Sequence, residues 1–316
     1  MRWLSCPRVC VAAVLLFVQT ALSGDGAGPL PAGPYLGQKP PGEIPVLFAP
    51  GVIPTEGIQH CFPAFSPDGL EVYWMRINMD SGRPRGEIYF MEEVEGSWTE
   101  PALAPFSGVH NDQAPVFSRD GRRLYFSSSR PGGPARRKNL WYIEKSDTGW
   151  SEPMVLGSPP NTDLGASQAT FTETGSVYFV GHHDSTQWKS AIYRSRLVEK
   201  EYQEPELLGA PILTAHADVY PYIAPDESYL LFGSTRPGGN STETDLYISF
   251  RGPDDSWGEP LQLDESINNG QTVSFPFVTH DGKYLFFTRF DEDGTDKFFW
   301  VEASILEKYR PSTGSG

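Results

Sequence analysis

Short runs of aromatic and branched apolar residues recur from residue 42 to residue 305, each bounded by clusters of Gly, Pro, Asp and Ser. Runs of this length between turn residues read as strands, not helices. One unit repeats along the chain: PAFSPDG at 63–69, PVFSRDG at 115–121, ATFTETG at 169–175, PYIAPDE at 221–227 and PFVTHDG at 276–282. The copies begin 52–55 residues apart, a period of the kind found in propellers and solenoids. Each continues alike. An aromatic-rich second strand follows the turn, as in Val72-Tyr73-Trp74 and Leu124-Tyr125-Phe126. A polar loop leads to a third strand, as in Ile88-Tyr89-Phe90 and Leu140-Trp141-Tyr142. The first four copies then show an aromatic ahead of Glu-Pro (WTEP 98–101, WSEP 150–153, YQEP 202–205, WGEP 257–260) and a short fourth strand.

Asp-Gly between two apolar runs tolerates positive φ and makes a tight hairpin. A single four-stranded sheet cannot bury both faces, and radial stacking of such sheets does. The pattern therefore predicts an all-β, five-bladed β-propeller of four-stranded antiparallel blades over 42–308; a β-sandwich would not repeat its whole pattern at a fixed period. The fifth copy lacks the aromatic-Glu-Pro segment, and GEIPVLFAP at 42–50 resembles it, with Pro45 matching Pro101. An N-terminal strand is thus expected to complete the last blade. Thr174 and Glu227 depart from the turn motif, in the Asp and Gly positions respectively, so looser or longer hairpins are expected in blades 3 and 4.

Composition adds compartment and charge. Arg2 and Arg8, the apolar run Val9–Val18 and the small residues Ala21 and Ser23 read as a secretory signal peptide over 1–23. The run is shorter than the ~20 residues a membrane span needs, and no other stretch is a candidate span. Residues 24–41 form a Gly/Pro-rich leader, and 309–316 a flexible tail. The chain's net charge is −15, and losing the signal makes it more acidic still. An acidic surface repels nucleic acid and anionic membranes. Cys6 and Cys10 leave with the signal, so Cys61 is single, and a buried, inert thiol is expected. A secreted or periplasmic monomer follows.

FSPDG followed by an aromatic strand resembles the TolB-type, or WD40-like, β-propeller repeat family in its secreted bacterial members. The resemblance covers all five repeats, and its motif is specific for fold and poor for function. It implies relatives that bind proteins, propeller halves of serine peptidases, and some carbohydrate-active enzymes. No Ser/His/Asp triad is carried over, since no peptidase domain is expected after the repeats.

Loops entering the first strands and leaving the second strands share one face of a propeller, around the channel. They hold His60, His110, Asp112, His216 and Asp218 on entry, and Arg76, Arg130, His182, His183, Arg236 and Arg289 on exit. In the repeat alignment His60, Asp112 and Asp218 share one position. We take His60, Arg76, His110, Asp112, His182, His183, His216, Asp218 and Arg289 as candidate ligand-binding residues. No cofactor is predicted; imidazole and carboxylate suit a divalent metal, with His60, Asp112, His216 and Asp218 as candidates. Histidine with arginine and carboxylate equally suits a sugar acid or a peptide terminus. The leading expectation is a binding propeller for a protein, peptide or glycan. The alternative is a carbohydrate hydrolase or lyase using channel carboxylates or a His-bound metal.

Overall fold

The computed structural model describes residues 32–53, 58–80, 82–240, 243–290 and 295–311. The predicted signal peptide and the start of the leader lie outside them. Five antiparallel blade sheets follow one another along the chain, and a two-stranded ribbon, Leu197–Val198 with Glu201–Tyr202, extends from blade 3. The inner, second, third and outer strands of blade 1 are Ile58–Phe65, Glu71–Asn78, Arg85–Val94 and Ala102–Leu103. Blade 2 is Asp112–Phe117, Arg123–Ser128, Asn139–Ser146 and Met154–Val155; blade 3 is Ser167–Phe171, Val177–His182, Ser190–Ser195 and Glu206–Leu207. Blade 4 is Asp218–Ile223, Tyr229–Ser234, Asp245–Phe250 and Leu261–Gln262. Each inner strand touches the inner strands of both neighbouring blades, which closes the ring around the axis.

Blade 5 takes its inner three strands, Val273–Val278, Tyr284–Phe290 and Asp296–Glu302, from the end of the chain and its outer strand, Val46–Leu47, from the start. Val46 pairs with Trp300 and Leu47 with Phe299, so the ring closes as the repeat predicts. Phe48 anchors this strand, with its ring 5.0 Å from Phe286, 5.2 Å from Trp300 and 5.6 Å from Phe65 of blade 1. Part of the predicted leader is held down as well. Tyr35 donates its backbone N–H to Gly69 (3.1 Å) and packs edge-on against Phe65 (4.9 Å). At the other end a 3-10 helix, Ala303–Tyr309, buries Leu306. Tyr309, placed in the tail by the sequence reading, ends this helix and accepts a bond from the Asp264 N–H (2.7 Å).

The hairpin turns explain the FSPDG motif. Ser66 donates to the Asp68 carboxylate (2.6 Å), which also accepts the Leu70 N–H (3.0 Å), while Gly69 takes φ +74°. Blades 2 and 5 repeat this with Ser118 and Asp120, and with Thr279 and Asp281. The expected looser hairpins in blades 3 and 4 do not occur. Gly175 donates to Thr172 (3.0 Å) and Glu227 to Ala224 (2.8 Å), the bond that Gly69 makes to Ser66 (2.8 Å). Glu227 occupies the glycine position at φ +58°, a conformation that costs a non-glycine residue about 1–2 kcal/mol, and its carboxylate is paired with Arg251.

Every inner strand carries a β-bulge with a non-glycine residue at positive φ: Cys61, Ala114, Gln168, Tyr220 and Phe275. In blade 1 the inner strand holds two residues more than its partner, between the pairs His60–Met75 and Ala64–Tyr73. Bulges re-aim side chains, and here they fill the axis with rings. Phe62 stacks on Phe277 (4.6 Å), and Tyr220 meets Phe275 (4.0 Å). A cavity of about 20 Å³ lies among the inner strands, beside Arg119, Tyr222 and His280. Cys61 is buried and free, and burial pushes its thiol up to about 12.

Phe48→Ala should cost about 3–5 kcal/mol, the usual range for a buried Phe, read as a lower urea midpoint. Burial, aided by Arg119, lowers His280 from 6.5 to about 4. The unfolded chain then takes up a proton that the folded one refuses. The stability due to neutral His280 is complete above pH 6.5 and is lost as pH falls toward 4. The Tm of His280→Phe should therefore gain on that of the native protein as the pH is lowered across this window; a constant difference would refute the assignment.

Candidate ligand site on the channel face

The entry and exit loops form two layers, one structural and one open. Asp112 and Asp218 begin the inner strands of blades 2 and 4 and are fully buried. Asp112 accepts bonds from Ser128 (2.6 Å) and Arg130 (3.0 Å) on one oxygen and from Ser107 (3.0 Å) on the other. Asp218 repeats this with Ser234 (2.6 Å), Arg236 (2.8 Å) and Thr214 (2.7 Å). Both guanidinium groups also reach back to the incoming loop, Arg130 to the Phe106 carbonyl (3.0 Å) and Arg236 to the Ile212 carbonyl (2.9 Å). Arg289 bonds the equivalent carbonyl of blade 5, Ile267 (2.8 Å), and lies 4.4 Å from the Phe299 ring. Each of these arginines ties an entering loop to the end of a second strand. Both oxygens of each aspartate are engaged within this clip.

The remaining sequence-predicted residues are spread around the face. Arg76 lies 5.9 Å over the Tyr89 ring. His110 and His216 are half-buried in the entry loops of blades 2 and 4. His182 contacts Asp184 (3.0 Å), and the Nδ1 of the neighbouring His183 is buried without a partner. The His60 backbone is paired opposite Met75; its side chain lies outside the described residues. Among the described residues no three His, Cys, Asp or Glu side chains converge as metal ligands.

A cluster that the sequence reading passed over lies between blades 2 and 3. The loop RPGGPARRK, 130–138, holds four cations and no acid. Asn139 fixes it, accepting the Ala135 N–H (2.9 Å) and donating to the carbonyls of Ala135 and Arg137 (3.1 Å each). Gly165, at φ +69°, lets the loop approach blade 3, because a Cβ there would lie 2.8 Å from the Arg137 Cβ. The result is a pocket of about 190 Å³ lined by Arg137, Lys138, Ser167, His182, Lys189 and Ser190 among others. Lys138 is half-buried, and its ammonium donates to the Gln113 amide oxygen. Among the described residues no carboxylate is found paired with it, and burial, opposed only by the nearby Cys61 thiol, lowers it to about 8. The available signal was the Arg-Arg-Lys run itself, which the turn chemistry of Pro-Gly-Gly masks.

Exposed apolar side chains divide the same way. Val46, Leu103, Leu207 and Leu261 lie on the outer strands and follow the blade architecture. Met79, Val109, Trp188 and Phe290 are also exposed, follow no repeat position, and lie in or beside channel-face loops.

No family model matches the sequence, and no curated protein matches it. Among solved structures, the chain is similar to the catalytic domain of a GH62 α-L-arabinofuranosidase from Coprinopsis cinerea, at 12% identity, over 86% of this chain and 96% of that one, with a TM-score of 0.49. It is similar to a GH43_12 protein from a capybara gut metagenome at 15% identity, over 78% of this chain and 51% of that one, with a TM-score of 0.45. A putative glycoside hydrolase from Parabacteroides distasonis is 10% identical over 86% of this chain and 92% of that one, with a TM-score of 0.46. Likeness at this level carries no statement about ligand or reaction. The propeller itself is seen directly in the strand pairing.

Asp112→Ala leaves Arg130 buried without its counter-charge and should cost about 3–5 kcal/mol. Asp112→Asn, which keeps the hydrogen bonding largely intact, should cost less. Equal, small losses in thermal melts would show that the clip does not hold the blade.

Proposed function

We propose that the chain is an extracytoplasmic binding propeller that holds a carboxylate-bearing peptide or glycan on its channel face. Lys138 carries the reading. A partly buried charge is ordinarily paired; this one has only an amide oxygen, beside an open pocket rimmed by Arg137, His182 and Lys189. In a chain of net charge −15, that is a site lacking its counter-ion. An incoming carboxylate would supply it through charge-assisted hydrogen bonds. The unrepeated apolar side chains around the same face favour a docking surface over a bare ion site. The signal-like N-terminus supports export, and the FSPDG repeats support the TolB-type family. The carbohydrate-active alternative needs carboxylates open to a substrate, and the enclosure of Asp112 and Asp218 does not favour it.

Calorimetry with hexaglutamate and with trigalacturonate tests this. At least one should bind, more weakly at higher salt, and Arg137→Glu with Lys189→Glu should abolish binding without moving the Tm. Affinity should also fall as pH rises through about 8, where Lys138 gives up its proton. Failure of both probes to bind, or binding indifferent to the double charge reversal, would refute the reading.

A further inference from the structure

We propose that Lys138 is a nucleophilic amine that captures small oxo acids as an imine in the pocket between blades 2 and 3. The proposal rests on the reading of that pocket as a carboxylate site and adds a covalent step to it.

Three observations converge. The first is the contrast between lysines. Lys145, Lys283 and Lys308 are each paired with a carboxylate, while Lys39, Lys189 and Lys200 are exposed. Lys138 alone of these is partly buried with only a neutral partner. Burial without a counter-charge favours the free base, the form that attacks carbonyl carbon. The second is the position of the amine. Its loop is held by the Asn139 bonds and by contact with Gly165, and the nitrogen itself by its bond to the Gln113 amide oxygen, so the amine is ordered before a ligand arrives. The third is the company of the amine. Arg137, His182 and Lys189 line the same pocket and suit the carboxylate of the incoming molecule. The volume, about 190 Å³, lies below the ~300–1,000 Å³ typical of drug-sized ligand pockets. A short-chain aldehyde acid or keto acid fits that limit.

The step balances without a redox partner. The Lys138 nitrogen lone pair forms a bond to the carbonyl carbon, and one N–H proton passes to the carbonyl oxygen to give a carbinolamine. Loss of that oxygen, with its proton and the second N–H proton, releases one water and leaves the C=N bond. Hydrolysis reverses the sequence, so capture is reversible.

The test treats the intact protein at pH 7 with glyoxylate and cyanoborohydride, which reduces any imine to a stable amine, and follows each lysine by peptide mass spectrometry. Lys138 should be labelled about tenfold faster than Lys39, Lys189 or Lys200, in keeping with its larger free-base fraction. Formaldehyde, which has no carboxylate, should show a smaller preference for Lys138. In Lys138→Arg the fast labelling should vanish, while Lys39, Lys189 and Lys200 are still labelled at their ordinary rate. Labelling of Lys138 no faster than the exposed lysines would overturn the proposal. Equal preference with glyoxylate and formaldehyde would overturn the oxo-acid assignment. Carboxylate probes that bind normally beside an unreactive Lys138 would leave the binding function standing and remove only the imine.

Discussion

A ring of stacked sheets has to be joined where the chain begins and ends, and here one short antiparallel pairing does so. Val46 and Leu47 complete a blade whose other strands lie between Val273 and Glu302, near the other end of the described chain. The pairing is only two residues long, too little to hold by hydrogen bonds alone. Phe48 and Tyr35 supply the rest, inserting rings among Phe65, Phe286 and Trp300 at the seam of blades 5 and 1. Closure is therefore mainly an aromatic packing event, with the hydrogen bonds setting its register. The channel-face loops keep their positions only as long as this seam holds.

Repetition separates scaffold from chemistry in the rest of the molecule. The Ser/Thr-Asp turns, the inner-strand bulges and the arginine clips recur from blade to blade, and each satisfies buried polar groups or directs rings inward. Trp150 against Tyr73 fills the seam of blades 1 and 2, and Trp257 against Tyr178 that of blades 3 and 4, in the same way. At the seam of blades 4 and 5 the repeat has no such aromatic, and the buried Leu306 of the C-terminal 3-10 helix joins the core there. Features without a counterpart in other blades are few. The basic loop of blade 2 and the exposed Trp188 of blade 3 are among them, and they adjoin one pocket.

The fold was legible because its determinants are local. A turn aspartate needs only the residues beside it, and matching Pro45 to Pro101 was enough to predict which blade the N-terminal strand completes. The bulges were not legible, since residues such as Ala114 and Phe275 carry no mark of positive φ; the ring geometry imposes it. The site was legible only as a face. Asp112 and Asp218 stand out in the sequence as polar residues at one repeat position. Whether they meet a ligand depends on Ser128, Arg130, Ser234 and Arg236, which the second strands bring alongside and which occupy one oxygen of each, and on Ser107 and Thr214 of the entering loops, which take the other.

Lys138 shows the converse. In sequence it is one cation in a basic turn, with nothing to distinguish it from Arg136 or Arg137. Its burial and its lack of a carboxylate partner arise from Gln113 on one blade and Gly165 on the next, so both are properties of the assembled seam. The amino-acid sequence by itself determined the number of blades, the turns within them, the strand that closes the ring and the face on which polar chemistry gathers, because each follows from periodicity and neighbouring residues. Tertiary structure alone decided which of those polar groups are consumed in holding the ring and which is left without a counter-charge. Charge compensation is settled by contacts between residues far apart in the chain.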